Sequence, residues 1–291
     1  MPNTRPFSRL RRRLLTGALA GASLTACSPI ALVNGLTPRE GYSVRDGLPY
    51  GANERERYDL YLPDRPHALA PRVVFFYGGA WTMGRREDYL FVGEALASAG
   101  CLVAIPDYRL YPEVRYPAFL SDCARAVAAV HAEDAWRKAG GPLVLMGHSA
   151  GAYNAAMLAY SPPLLAAAGF DRIRIAGFVG LAGPYDFLPL TGRTTRAVFG
   201  HPDTSPLTQP ITHVDGGAPP SLLLAAERDS IVDPGNSARL AARLSELGRP
   251  VRHLRYPQLD HRTLVGALSV PLRDRAPVRG DILAFLQGLS A

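Results

Sequence analysis

From residue 58 onward the chain alternates short apolar runs with longer stretches of helical periodicity. Tyr58–Leu62 alternates apolar and polar positions in the manner of an early strand and stops at Pro63. Val73–Tyr77 (VVFFY) is apolar throughout and lies between Pro71 and Gly78, the pattern of a strand buried on both faces. Cys101–Ile105, cut by Pro106, and Leu143–Met146 repeat that pattern, and residues 173–181, 221–226 and 251–256 add three more strands. Between them, residues 87–99 (ending at Gly100), 118–139 (ending at Gly140-Gly141), the stretch from Ser149 to about Tyr160, 235–247 and 278–289 read as helices. Repeated βα units with doubly buried strands predict a mostly parallel central sheet with helices on both faces. The stretch 184–219 is rich in Pro, Gly and Thr and breaks the alternation; it is expected to be a small cap insertion over one end of the sheet, with an ordinary surface excursion as the alternative.

The first 26 residues stand outside this pattern. Arg5, Arg9, Arg11, Arg12 and Arg13 come with no acidic residue and are followed by the apolar run Leu14–Leu24. A run of roughly a dozen residues is too short for a permanent span, which needs about 20, and fits the apolar region of a signal peptide. Leu24-Thr25-Ala26-Cys27 resembles a bacterial lipobox, in which the cysteine carries the lipid after cleavage. The expectation is therefore a signal peptide over 1–26, a lead over 27–40 and a catalytic domain over 41–291, exported to the bacterial cell envelope and held to a membrane through Cys27. An ordinary signal peptide is the alternative, and Arg11-Arg12 leaves the Sec and twin-arginine routes both open. The leader also accounts for five units of the chain's net charge of +7. The remainder, with Lys138 as its sole lysine, carries no basic stripe, so a nucleic-acid partner is not expected. Cys101 and Cys123 read as small buried thiols, with a disulfide as the alternative, and no spacing of His and Cys points to a metal or other cofactor.

Chemistry concentrates in two places. Gly147-His148-Ser149-Ala150-Gly151 matches G-x-S-x-G between a strand and a helix. A nucleophile on so sharp a turn takes unfavourable backbone angles, and small residues must flank it. Ser149 is the candidate nucleophile; His148, beside it on the turn, points elsewhere and is read as structural or pocket-lining. Tyr77-Gly78-Gly79-Ala80-Trp81 ends the VVFFY strand in a glycine-rich bend able to present backbone N–H groups to an oxyanion.

These segments, with Asp107-Tyr108-Arg109-Leu110 and Glu227-Arg228-Asp229, resemble the hormone-sensitive-lipase-like and kynurenine-formamidase-like carboxylesterases of the α/β-hydrolase superfamily over about residues 50–265. The resemblance implies the α/β-hydrolase fold and places the oxyanion donors on the N–H groups of Gly79, Ala80 and Ala150. It gives Asp107 a structural role. In that family the first loop usually begins with His, where this chain has Tyr77.

The remaining members follow in the order Ser, Asp, His. Asp229, just after the strand at 221–226, matches the family's acid; Asp233, before Pro234, reads better as a helix N-cap, and Glu227 sits nearer the strand. His261, beyond the last strand, matches the base, while Asp260 beside it is poorly placed to bond its ring. Ser149, Asp229 and His261 together predict a serine hydrolase forming an acyl-enzyme on small to medium esters. An arylformamidase using the same groups and a catalytically silent binding lipoprotein are the alternatives. Trp81, with Tyr108, Tyr111 and Phe187, is a candidate for the substrate pocket.

Overall fold

The computed structural model describes Met1 and residues 29–66, 69–200 and 204–289. Apart from Met1, the arginine-rich leader expected at 1–26 lies outside the described residues, as does Cys27.

Among the described residues eight strands form one sheet: β1 (Tyr42–Pro49), β2 (Arg57–Pro63), β3 (Ala70–Phe76), β4 (Leu102–Pro106), β5 (Gly140–His148), β6 (Ile175–Leu181), β7 (Ser221–Ala226) and β8 (Val251–Tyr256). Their spatial order is β1-β2-β4-β3-β5-β6-β7-β8. β1 and β2 pair antiparallel at one edge, β2 meets β4 antiparallel, and every pairing from β4 to β8 is parallel. The apolar runs fall in the middle: Val73–Phe76, Val144–Met146 and Leu222–Leu224 are wholly buried. Each such side chain contributes about 1.5–3 kcal/mol of transfer free energy, so the central strands hold the sheet together. Helices cover both faces. Leu90–Ala97 is tied to Val278–Gly288 by the Arg279 guanidinium bonding the Ala95 carbonyl, and Ala118–Ala132 and Ala150–Tyr160 pack together on the opposite face.

Local departures from the expected pattern have tertiary causes. The helix expected at 87–99 is a 3-10 turn, Arg86–Tyr89, followed by an α-helix at Leu90–Ala97. The helix expected at 118–139 is two, Ala118–Ala132 and Asp134–Lys138, broken where Glu133 turns extended (φ −61°, ψ 132°). There its carboxylate accepts hydrogen bonds from the Tyr58 hydroxyl (2.6 Å) and the Arg45 guanidinium (3.0 Å), tying the helix break to β1 and β2. The lead contains a short helix, Pro29–Gly35, and β1 follows it as an edge strand. Cys101 and Cys123 are buried free thiols, and burial pushes the Cys101 thiol up to about 12.

Among the described residues of 184–219 are a helix, Arg193–Phe199, and two 3-10 turns, Pro206–Thr208 and Pro210–His213. Phe187 and Phe199 pack against the rings of Trp81 and Tyr153, and the Tyr153 hydroxyl donates to the Thr208 carbonyl at 2.7 Å. This segment therefore rests on the bend that follows β3 and on the helix that follows β5.

Candidate active site

At the end of β5 the backbone turns directly into the helix Ala150–Tyr160, and Ser149 occupies the turn at φ 56° and ψ −125°. Such a conformation is strained for any residue with a Cβ. It persists because neighbouring groups allow no other path. The Ser149 N–H donates to the Leu181 carbonyl of β6 at 2.9 Å. A Cβ on Gly147 would stand 2.3 Å from the Gly151 carbonyl oxygen, and one on Gly151 would stand 2.0 Å from that of Phe76. The small flanks of G-x-S-x-G are thus a packing requirement between β3, β5 and the helix.

The hydroxyl so presented meets the base and acid named from sequence. His261 Nε2 lies 2.9 Å from Ser149 Oγ, and His261 Nδ1 lies 2.7 Å from Asp229 Oδ2. With Asp229 ionised, Nδ1 carries the proton and Nε2 is free to accept from the serine. Asp229 is fixed from its other side: Oδ1 accepts the N–H groups of Ile231 (2.8 Å) and Val232 (2.9 Å). Burial works to raise the Asp229 carboxyl, but the His261 hydrogen bond, these two N–H groups and the His261 charge outweigh it and hold it below the usual carboxylate range. His261 opens a short helix, His261–Gly266, whose capping box joins the Asp260 carboxylate to the Thr263 N–H and the Thr263 hydroxyl to the Asp260 N–H. Asp260 therefore anchors the backbone of the base and leaves its ring to Asp229. Asp233 accepts the Gly235 N–H at 2.9 Å just ahead of the helix Gly235–Glu246, so the rival acid is engaged by its own loop, while the His261 ring bonds Asp229. Ser149 and His261 are only 8% and 6% exposed, a poorly hydrated setting in which their hydrogen bonds are strong.

The glycine-rich bend lies against this turn. A Cβ on Gly78 would come within 2.9 Å of Ser149 Cβ, which measures how closely the two segments approach. Gly79 (φ 132°), Ala80 (φ 52°) and Trp81 (φ 59°) follow in succession with positive φ. The N–H groups of Gly79 and Ala80 meet no acceptor among the described residues. Ala150, first in its helix, likewise lacks an intrahelical acceptor for its N–H. These are the three donors predicted for an oxyanion.

Tyr77, in place of the usual His, is built into the bend. Its ring stacks between Tyr89 and Tyr108 at 5.6 and 5.0 Å. Its hydroxyl donates to Asp107 Oδ1 at 2.6 Å and accepts from the Arg55 guanidinium at 2.7 Å. Asp107 also takes the Arg86 backbone N–H and guanidinium, so its role is structural.

The expectation that Trp81 lines the substrate pocket is revised. Its ring is 3% exposed, its indole N–H donates to Asn154 Oδ1 at 3.0 Å, and Tyr153 and Phe199 pack edge-on against it. Trp81 is consumed in holding the bend to the helix behind Ser149, and Tyr108 is likewise buried, whereas Tyr111 and Phe187 remain partly open. Sequence reasoning missed the Asn154 partner and the contacts of His148. The latter is 5% exposed and its Nε2–H donates to the His261 carbonyl at 3.0 Å. Burial, and then the neighbouring His261, push the His148 imidazole down to about 3, so it is neutral. Asp229 accepts the Ile231 N–H two residues on, an Asx turn that holds the acid loop.

The architecture is that of solved esterases. Esterase B from Lactobacillus rhamnosis, in a C6-C4 SN3 inhibited form, matches with a TM-score of 0.72 at 21% identity, over 86% of this chain and 88% of that one, and shows the α/β-hydrolase fold here. A probable isoprenylcysteine alpha-carbonyl methylesterase, ICMEL1, of Arabidopsis thaliana is 27% identical over 82% of this chain and 53% of its own length. The kynurenine formamidase of Danio rerio is 33% identical over 38% of this chain and 37% of its own. The chain spans about half the length of that methylesterase and about a third of two other plant methylesterases it matches. Residues 58–244, from β2 through the helix beyond β7, match the BD-FAE family model. That span carries the glycine-rich bend, the serine turn and the acid loop together, and the chain belongs to the BD-FAE family.

Proposed function

We propose that the chain is a serine hydrolase that cleaves carboxylic esters of small to medium size through an acyl-enzyme. The observation that carries this reading is the unbroken path from Asp229 through His261 to Ser149, at 2.7 and 2.9 Å, on a strained turn. His261 Nε2 takes the Ser149 proton as Oγ bonds to the acyl carbon. The carbonyl oxygen gains charge and is held by the N–H groups of Gly79, Ala80 and Ala150, each worth about 3–4 kcal/mol at the transition state. The imidazolium, steadied by Asp229, returns its proton to the departing alcohol oxygen as the ester C–O bond breaks. Water then repeats the sequence, with Ser149 as leaving group. The segment 184–219, resting on the bend, acts as a cap that bounds the pocket beside Phe187.

Ser149→Ala tests the assignment. Loss of p-nitrophenyl acetate turnover and of fluorophosphonate labelling is expected; retained turnover rejects it. A wild-type protein that is neither labelled nor active favours the silent binding lipoprotein instead. The likeness to a kynurenine formamidase supports a second reading, formamide hydrolysis by the same groups. N-formylkynurenine turned over with a kcat/KM above that of acetyl esters decides for it. For location, the basic and apolar leader and the Leu24–Cys27 tetrad support an exported protein lipidated on Cys27. Incorporation of an alkyne fatty acid by wild type but not by Cys27→Ser, in a bacterial host, is the expected result.

A further inference from the structure

We infer that His148, beside the nucleophile, is a positioning residue for the base; the inference rests on the hydrolase reading above. Four observations carry it. The His148 Nε2–H donates to the backbone carbonyl of His261 at 3.0 Å, across 113 residues of chain. The His148 and His261 rings lie against each other, with centroids 4.8 Å apart at 44°. His148 is joined to Ser149 by one peptide bond, and Ser149 Oγ meets His261 Nε2 at 2.9 Å. His148 is buried, and its Nδ1 has no partner among the described residues.

These contacts close a ring. It runs from Ser149 through the backbone to His148, across the hydrogen bond to the His261 main chain, through the His261 side chain, and back to the serine hydroxyl. Asp229 fixes the imidazole from its Nδ1 side but says nothing about where the backbone of residue 261 stands relative to the serine turn. The His148 hydrogen bond supplies that second constraint. The capping box of Asp260 and Thr263 orders the start of the helix His261–Gly266 locally, and the His148 bond ties that start to the serine turn. A misplacement of about 1 Å at a reacting pair costs as much as about 100-fold in rate. A mere space-filler at 148 needs the volume of the ring; a positioning residue needs the donor at Nε2.

The matched pair His148→Gln and His148→Met separates these. Both are unbranched and similar in length, and only Gln carries an N–H at the reach of Nε2. On p-nitrophenyl butyrate, His148→Met is expected to lose about 10- to 30-fold in kcat with KM changed less than about twofold. Its fluorophosphonate labelling of Ser149 should slow in proportion, and His148→Gln should recover kcat to within about threefold of wild type. Equal kcat in the two variants, or a loss confined to KM, overturns the inference. If the Met variant does not fold, the Gln variant decides alone: about threefold or less supports the role, and a larger loss overturns it. Wild type is assayed alongside, since an inactive and unlabelled wild type defeats the hydrolase reading itself rather than the role of His148.

Discussion

Asp229 divides its carboxylate between two tasks, giving Oδ2 to the His261 ring at 2.7 Å and Oδ1 to the N–H groups of its own loop. The loop bonds fix where the carboxylate stands, and the His261 bond then fixes the tautomer. Asp229→Asn keeps the shape and reverses that logic, because an amide presents N–H where the imidazole needs an acceptor. The variant is expected to fold normally and to lose about 10³- to 10⁴-fold in kcat. Asp233, which accepts the Gly235 N–H at the surface, is the control: Asp233→Asn should hold kcat/KM within about twofold. Steady-state kinetics on one ester reads both, and a larger loss at 233 than at 229 rejects the assignment of the acid.

The glycines around the serine turn differ sharply from others in the chain. A Cβ at 151 would lie 2.0 Å from the Phe76 carbonyl oxygen, which belongs to a buried central strand and has nowhere to move. Gly151→Ala should lower the melting temperature by on the order of 10 °C, as overpacking costs about 1–3 kcal/mol or more. Gly280, exposed in the helix Val278–Gly288, would meet nothing within 4 Å. Gly280→Ala should therefore raise melting by roughly 2–4 °C through helix propensity alone. Thermal scans of the two variants against wild type compare them directly.

Trp81 separates substrate binding from support of the bend. Trp81→Phe removes the indole N–H, strands Asn154 Oδ1, and thins the contacts to Tyr153 and Phe199. The expected outcome is a loss of roughly 1–3 kcal/mol in urea unfolding. KM for p-nitrophenyl butyrate should stay within about twofold, since the ring is engaged in the core. A KM raised tenfold with stability unchanged would return Trp81 to the pocket.

How far the sequence could be read follows from what each feature depends on. β3, β4, β5 and β7 were legible because strands buried on both faces must be apolar throughout. β1 was not, because it is an edge strand with most positions exposed and Gly47 in its middle. The break at Glu133 was hidden because its cause, the Tyr58 hydroxyl, lies 75 residues away. The meeting of Ser149, Asp229 and His261 was legible because each lies just beyond a strand of one parallel sheet. The helix Arg193–Phe199 was obscured by the Gly- and Pro-rich segment around it, and it is packed on rings from elsewhere in the chain. His148 carried no local mark at all: its partner is a carbonyl that only the fold brings near.

Burial of His148 also sets a pH dependence of stability with a definite sign. In the native state its imidazole is pushed down to about 3, whereas an unfolded chain binds the proton near 6.5. Above about 6.5 both states leave it neutral and the contribution is fully present. As pH falls below that, the unfolded chain takes up a proton that the native protein refuses, and stability is lost at up to ~1.4 kcal/mol per pH unit. Asp229, also held down in the fold, acts the same way but only further into acid, within and below the ordinary carboxylate range. His131 and His253 are lowered by burial too, so wild type alone does not isolate residue 148. The difference between wild type and His148→Gln does. Urea unfolding of both proteins at pH 7 and pH 5 is expected to show wild type losing about 1–2 kcal/mol more than the variant on acidification. Parallel losses in the two proteins would mean that residue 148 takes up its proton equally well in the folded and unfolded states, which a neutral imidazole locked onto the His261 carbonyl forbids.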